Sequence, residues 1–255
     1  MSLQTVLVIG ASRGIGFELV RQYREAGWRV IATVRDEAAR ERVLEQGAEV
    51  HLIDVAKPAS VSGLAWLLDG VRIDVALYVA GVIRRPGALT PPTQEDFDAV
   101  MHTNVLGAMQ VIPQVAPIVE DAGGVFAFFS SSMSQIGSVD DSSSWIYRTS
   151  KAALNMAVAA AQLDYPRATL ITIDPGWVQT DMGGAQAPVT IEDSTRGLRS
   201  VLAYLTPEDK DKQKTKDVNA ADELFATTVN IYDVIVSLRA FLRRRSVISV
   251  IYRQR

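Results

Sequence analysis

The chain has 255 residues, of which 48% are hydrophobic and 22% charged, and its formal net charge is -3. That apolar fraction excludes global disorder, and the mild acidity argues against a dedicated nucleic-acid binder, whose domain is usually basic. With no cysteine in the chain, disulfides, thiolate catalysis and every cysteine-based metal site are excluded.

Thr5 to Ile9 is a short continuous apolar run, the pattern of a strand buried on both faces of a parallel sheet. A glycine-containing turn follows. Residues 15–25 then carry Ile15, Leu19, Val20 and Tyr23 at helical spacing, with Gly27 as the stop. Trp28 to Val34 is the next strand and completes a βαβ unit. The alternation continues with a charged helix over 36–46, a strand over 49–53, a short helix over 61–68 and a strand over 75–79. Residues 94–119 read as largely helical, 124–129 as a strand, 146–163 as an alanine-rich helix and 169–173 as a strand. Six or more strands alternating with helices predict an α/β fold, a doubly wound parallel sheet, in a single domain over 1–255.

The last part of the chain differs. Residues 208–217 are a charge run, and 220–242 have the spacing of an amphipathic helix. From 234 to 255 there is no acid and six arginines, which reads as a solvated helix end with a partner, membrane-surface or nucleic-acid contact as the alternative. No stretch approaches the roughly 18 to 20 apolar residues of a membrane span. The N-terminus also lacks the charged start and long apolar run of a secretory signal. The expectation is a cytoplasmic protein without membrane or nucleic-acid partners. His51 and His102 are too few and too far apart for a metal site.

Gly10-Ala-Ser-Arg-Gly14-Ile-Gly16 lies between the first strand and the first helix, where a dinucleotide pyrophosphate is held. Gly10 permits the tight turn, Gly14 allows close backbone approach, and Gly16 lets the helix pack on the sheet. The helix N-terminus offers free N–H groups and partial positive charge to the phosphates. The second strand ends in Arg35, where a site for NAD(H) would place a carboxylate, and Arg13 adds a second cation. Two guanidinium groups suit a ribose 2′-phosphate, favouring NADP(H) over NAD(H), although Asp36 stands beside Arg35.

Tyr147 and Lys151 are four apart and share a helix face. A lysine ammonium near a phenol favours the phenolate, lowering its pKa toward the working range so that it can exchange a proton with a carbonyl or alcohol oxygen. Such a pair is common on helix surfaces. Its significance here comes from Ser130-Ser131-Ser132, which ends a buried strand where α/β folds bind ligands.

Together these motifs resemble the short-chain dehydrogenase/reductase family over residues 5 to about 206. More narrowly, residues 147–155 and 174–184 resemble its C-factor-like carbonyl reductase branch. The resemblance implies a Rossmann fold and an oxidoreductase acting on a small carbonyl or alcohol substrate. It makes Tyr147 the acid/base, Lys151 its partner and a holder of the nicotinamide ribose, and Ser131 the residue that polarises the substrate carbonyl, with Ser132 as the alternative. Asn104 becomes the anchor of a water in the proton relay. The implied cofactor contacts are Gly10, Ser12, Arg13, Gly14, Ile15, Gly16 and Arg35, then Asp54 and Val55 at adenine, and Ala80 and Gly81. Pro175, Gly176, Val178 and Thr180 follow at the carboxamide.

A homodimer or homotetramer through the helices near 105–119 and 147–163 is also implied. Two departures stand out. Tyr78-Val79 replaces two asparagines that the family carries, and the resemblance is silent on 210–255. The alternative to an enzyme is a nucleotide-binding regulatory or signalling protein with incidental turnover. Substrate choice is expected in loops 82–93 and 183–200.

Overall fold

The computed structural model describes residues 3–205 and 229–230. In chain order these form β1 (Thr5–Ile9), α1 (Gly14–Glu25), β2 (Arg29–Val34), α2 (Glu37–Leu44) and β3 (Glu49–Leu52). Two single helical turns, α3 (Pro58–Val61) and α4 (Leu64–Leu67), lead to β4 (Val75–Tyr78), then α5 (Gln94–Met101) and α6 (Gly107–Asp121). β5 (Val125–Phe129), α7 (Trp145–Gln162), β6 (Thr169–Asp174), α8 (Ile191–Tyr204) and β7 (Val229–Asn230) complete the set.

The strands lie in the order β3-β2-β1-β4-β5-β6-β7, and every neighbouring pair is parallel. The order reverses between β1 and β4. In a doubly wound sheet this reversal opens a crevice at the carboxyl ends of the strands. Alternation along β1 feeds two cores. Val6 and Val8 pack with Leu19, Val20 and Leu198 on one face, while Leu7 and Ile9 pack with Val111, Val115 and Leu154 on the other. Helices therefore cover both faces, and the β1 residues are fully buried, which is why the strand reads as an unbroken apolar run.

α1 ends as its sequence predicts. Gly27 takes φ +81, its N–H donates to Arg24 O at 3.0 Å, and the Trp28 N–H donates to Tyr23 O at 3.0 Å. These two bonds satisfy carbonyls that the helix end leaves free.

Four segments depart from the sequence expectation. The helix expected over 61–68 is two turns interrupted at Gly63, which has φ -97 and ψ 4. The helix expected over 94–119 is broken by a π-helical segment, His102–Leu106, between α5 and α6. α8 was not anticipated, and it occupies part of a stretch expected to be loop. Its signal is Thr190-Ile-Glu-Asp193, in which Thr190 Oγ1 accepts from the Asp193 N–H at 3.1 Å. Finally, Val229–Asn230 runs as a strand in register with Ile173–Asp174, inside the span 220–242 whose spacing reads as helical. The rest of that span, the charge run and the arginine-rich end lie outside the described residues.

Candidate active site

A cleft of about 370 Å³ opens at the carboxyl ends of β1, β4, β5 and β6. Its floor is the glycine turn. Gly10 has φ +94, and a Cβ there would sit 2.7 Å from the Ala80 backbone nitrogen, so only glycine lets β1 and β4 converge. A Cβ on Gly16 would lie 2.2 Å from Gly10 O, which is how closely α1 packs on the turn. Gly14, at φ +54, faces Thr180 across the cleft, its Cβ position 3.4 Å from Thr180 Cγ2. No acid occupies the first turn of α1, so the positive end of its dipole is left for an anion. The steric cradle and these donors fit a dinucleotide.

Arg13 and Arg35 line one end of the cleft with Ser12, Asp54 and Val55. Arg13 pairs with Asp181 at 2.8 Å, and both side chains are exposed. Asp36 caps α2, accepting from the Ala39 N–H at 2.8 Å. Arg42 reaches across from α2 and donates to Ser12 O at 3.4 Å. That contact brings a third guanidinium to this corner, and sequence reasoning missed it because it depends on how α2 lies beside the turn. The Asp54 carboxylate accepts from the Ala56 N–H at 3.1 Å.

At the other end, Tyr147 and Lys151 project from one face of α7 and line the cleft with Ile15, Ala80, Gly81, Pro175 and Thr180. Lys151 is buried and donates through Nζ to Phe129 O at 2.6 Å. Burial lowers its pKa from 10.5 to about 8, against the negative charge of Asp174, which raises it. Tyr147 is 7% exposed. Its pKa is raised to about 12, by burial first and by the charge of Asp174 second, against a hydrogen bond with Ser131 that lowers it. The expectation of a lowered phenol pKa is therefore reversed. Lys151 Nζ lies 5.5 Å from the ring centroid, and desolvation of the phenolate outweighs its influence.

The serine run separates in three directions. Ser130 Oγ donates to Asn155 Oδ1 at 2.6 Å, Ser131 turns to Tyr147, and Ser132 is exposed. Of the two candidates, the tertiary structure brings Ser131 to the phenol.

Asn104 stands behind the wall, fully buried in the π-helical segment. Its amide clasps the Val82 backbone, Nδ2 donating to Val82 O and Oδ1 accepting from the Val82 N–H, each at 2.9 Å. A Cβ on Gly81 would meet both Asn104 Oδ1 and Lys151 Nζ at 3.5 Å, so the two groups are neighbours. Tyr78 donates to Thr103 O at 2.7 Å, tying β4 to the segment that carries Asn104.

Ser131, Gly16, Gly176 and Val178 also stand behind the lining, where Ser130 is the serine of the run that reaches the cleft. Gly176 donates to Asp174 Oδ1 at 2.9 Å, and Val178 bridges to Val189. Two further residues were not singled out by sequence. Asp174 lies buried beneath the cleft, and Arg85 donates to Met182 O at 2.6 Å, joining two loops at the rim. Nothing in local spacing marks either one.

The short chain dehydrogenase family model matches residues 4–189. The chain belongs to the short-chain dehydrogenase/reductase family. Among its relatives is 1-hydroxy-2-glutathionyl-2-methyl-3-butene dehydrogenase of Rhodococcus sp. (strain AD45), 32% identical, covering 81% of this chain and 93% of the relative. The C-signal protein of Myxococcus xanthus is 36% identical over 53% of this chain and 84% of its own. Among solved structures, a family member from Burkholderia multivorans with bound NADP superposes with TM-score 0.72 at 28% identity, covering 79% of this chain and 91% of that one. The carbonyl reductase Sniffer of D. melanogaster superposes with TM-score 0.73 at 25% identity, covering 81% and 94%. Family membership makes this short-chain dehydrogenase/reductase an oxidoreductase, and the NADP-bound neighbour supports a nicotinamide dinucleotide as its cofactor. No helix among the described residues is long and apolar enough to cross a membrane.

Proposed function

We propose that the protein reduces a carbonyl compound to an alcohol with NADP(H), Tyr147 acting as general acid. The observation that carries this reading is the Tyr147–Lys151 pair on the lining of a cleft that Arg13 and Arg35 also line, with Ser131 hydrogen-bonded to the phenol from behind that lining. Gly10, Ser12, Gly14 and Ile15 with the α1 N-terminus would hold the pyrophosphate, and Arg13 and Arg35 the 2′-phosphate. Asp54 and Val55 would meet adenine, while Ala80, Gly81, Lys151 and the Pro175–Thr180 segment would hold the nicotinamide half. When bound, the dinucleotide supplies or accepts hydride.

The protein's own residues manage the oxygen. Ser131 donates a hydrogen bond to it, and Tyr147 delivers the proton as negative charge develops. A phenol with a raised pKa is protonated at neutral pH, the state that reduction needs. Lys151 and Asn104, neighbours behind Gly81, form the route by which the phenol regains its proton. The exposed arginines favour NADP(H) because the Arg13–Asp181 pair lies in solvent and contributes at most about 1 kcal/mol. A dianionic 2′-phosphate offers more, and Asp36 is already committed to its cap. Exposed Leu106 and Met109 at the start of α6, with Met156 and Leu163 at α7, suit a homo-oligomer assembled through those helices.

The test is a fluorescence titration with NADPH and NADH, followed by turnover of an aldehyde, ketone and quinone panel at 340 nm. Tyr147→Phe is expected to bind NADPH as the wild type does and to lose about 100-fold or more in turnover. Full turnover in that variant would remove the mechanism. NADPH binding without turnover across the panel would favour the regulatory alternative.

A further inference from the structure

The end of β6 carries a buried charge for which the mechanism above has no use. Asp174 is 4% exposed. Its Oδ2 accepts from the Ser132 N–H at 2.7 Å and its Oδ1 from the Gly176 N–H at 2.9 Å. Those amides belong to different loops, one carrying Ser131 and the other beginning the Pro175–Thr180 segment. A neutral side chain with one acceptor could hold one of them, whereas a carboxylate holds both. Burying that charge is costly unless donors and an opposite charge compensate.

The titratable groups facing it are Tyr147 and Lys151, both from α7, and it raises the pKa of each. β5 presents serines at this point, and α8 presents Ser194, which donates to Pro175 O at 2.8 Å. Asp174 thus sets a negative charge near the buried Lys151 ammonium, whose Nζ donates to the neutral backbone carbonyl of Phe129.

We propose that Asp174 is a positioning residue with two tasks: it ties the Ser131 loop to the Pro175–Thr180 segment, and it keeps the Lys151 side chain charged at neutral pH. This rests on the reading of Tyr147 and Lys151 as the proton-handling pair. Burial alone drives lysine ammonium groups toward neutrality by several pH units in the extreme. A carboxylate in the same buried layer counters that drive. Lys151 then retains its proton at pH 7 and can return one to the phenol. The tie and the charge come from one side chain, so the loop that orients the substrate oxygen and the group that restores the proton are set together.

The test compares full-length wild type with Asp174→Asn, each labelled with 13C at lysine Cε and titrated by NMR. The chain has six lysines, and the Lys151 signal is assigned by its loss in Lys151→Met. A wild-type midpoint near 8 is expected, falling by about one pH unit in Asp174→Asn. Reductase turnover in that variant is expected to fall about threefold at pH 7.5 and to recover near pH 6.5, by the same midpoint shift. Asp174→Ser, whose hydroxyl still accepts one amide, gives the same shift and serves if the asparagine variant does not fold. An unmoved Lys151 midpoint in either folded variant overturns the proposal, even if turnover falls. The NMR midpoint needs no substrate, so a wild type without turnover would sink the reductase reading while the titration still judges Asp174.

Discussion

Replacing Lys151 with methionine should stabilise the protein at neutral pH while abolishing its chemistry. The reason is the cost of holding an ammonium in a buried site. The fall from 10.5 to about 8 corresponds to about 3 kcal/mol against folding when the lysine is charged in both states. Methionine removes that cost at similar length, but it also removes the bond to Phe129 O, worth about 1 kcal/mol. The net expectation at pH 7 is a gain of about 2 kcal/mol in unfolding free energy.

The pH dependence gives the sharper check. Between about 8 and 10.5 the unfolded chain binds a proton that the folded chain has released, so wild-type stability rises across that window. Below pH 8 both states are protonated and the cost is constant. Lys151→Met lacks the rise. The difference between the two proteins should shrink from about pH 8 upward and reverse sign near pH 10, and well above pH 10.5 only the lost hydrogen bond remains. Urea unfolding without nucleotide at pH 7, 8.5 and 10 measures it. A difference that stays flat with pH would mean that Lys151 is not desolvated as its burial indicates, and the account of its role would fall with it.

Two further outcomes are expected. Arg35→Ala should weaken NADPH binding by about tenfold while leaving NADH binding nearly unchanged, because a charge-assisted bond to phosphate is worth roughly 1.5 to 3 kcal/mol and part of it is screened by solvent; equal losses for both nucleotides in parallel titrations would remove Arg35 from the 2′-phosphate site. Gly16→Ala sets a methyl against Gly10 O and must push α1 off the turn, costing about 1 to 3 kcal/mol and weakening dinucleotide binding. A variant with unchanged thermal unfolding and unchanged NADPH affinity would show that the cradle is not tight there.

Much of the architecture is legible in the chain because its signals are local. The run Thr5–Ile9, the helical spacing of Ile15 to Tyr23 and the stop at Gly27 each depend on a few adjacent residues. The glycine turn is legible for the same reason: positive φ at Gly10 and Gly14, and the close approach at Gly16, admit no side chain. Tyr147 and Lys151 fall on one face through helix period alone. Where local signals competed, the reading failed. The repeating apolar pattern of 94–119 conceals the π-helical segment that places Asn104, and the β-branched residues around Val229 fit a helical spacing although Val229–Asn230 pairs with β6.

What only the tertiary structure decided concerns environment. Asp36 beside Arg35 looks like a competitor for a ribose until its carboxylate is seen capping α2. Three adjacent serines are equivalent by composition, and their different partners separate them. The expected depression of the Tyr147 pKa assumed that a nearby lysine dominates, but the packing around both groups desolvates the phenol and the ammonium alike. Asp174, sequence-distant from Ser132, becomes the tie between two loops only when β5 and β6 lie side by side. Desolvation and long-range hydrogen bonds depend on which segments the fold brings together, and no spacing along the chain encodes them directly. The sequence thus determined the scaffold and the kinds of groups at the cleft, while folding determined their charge states and partners.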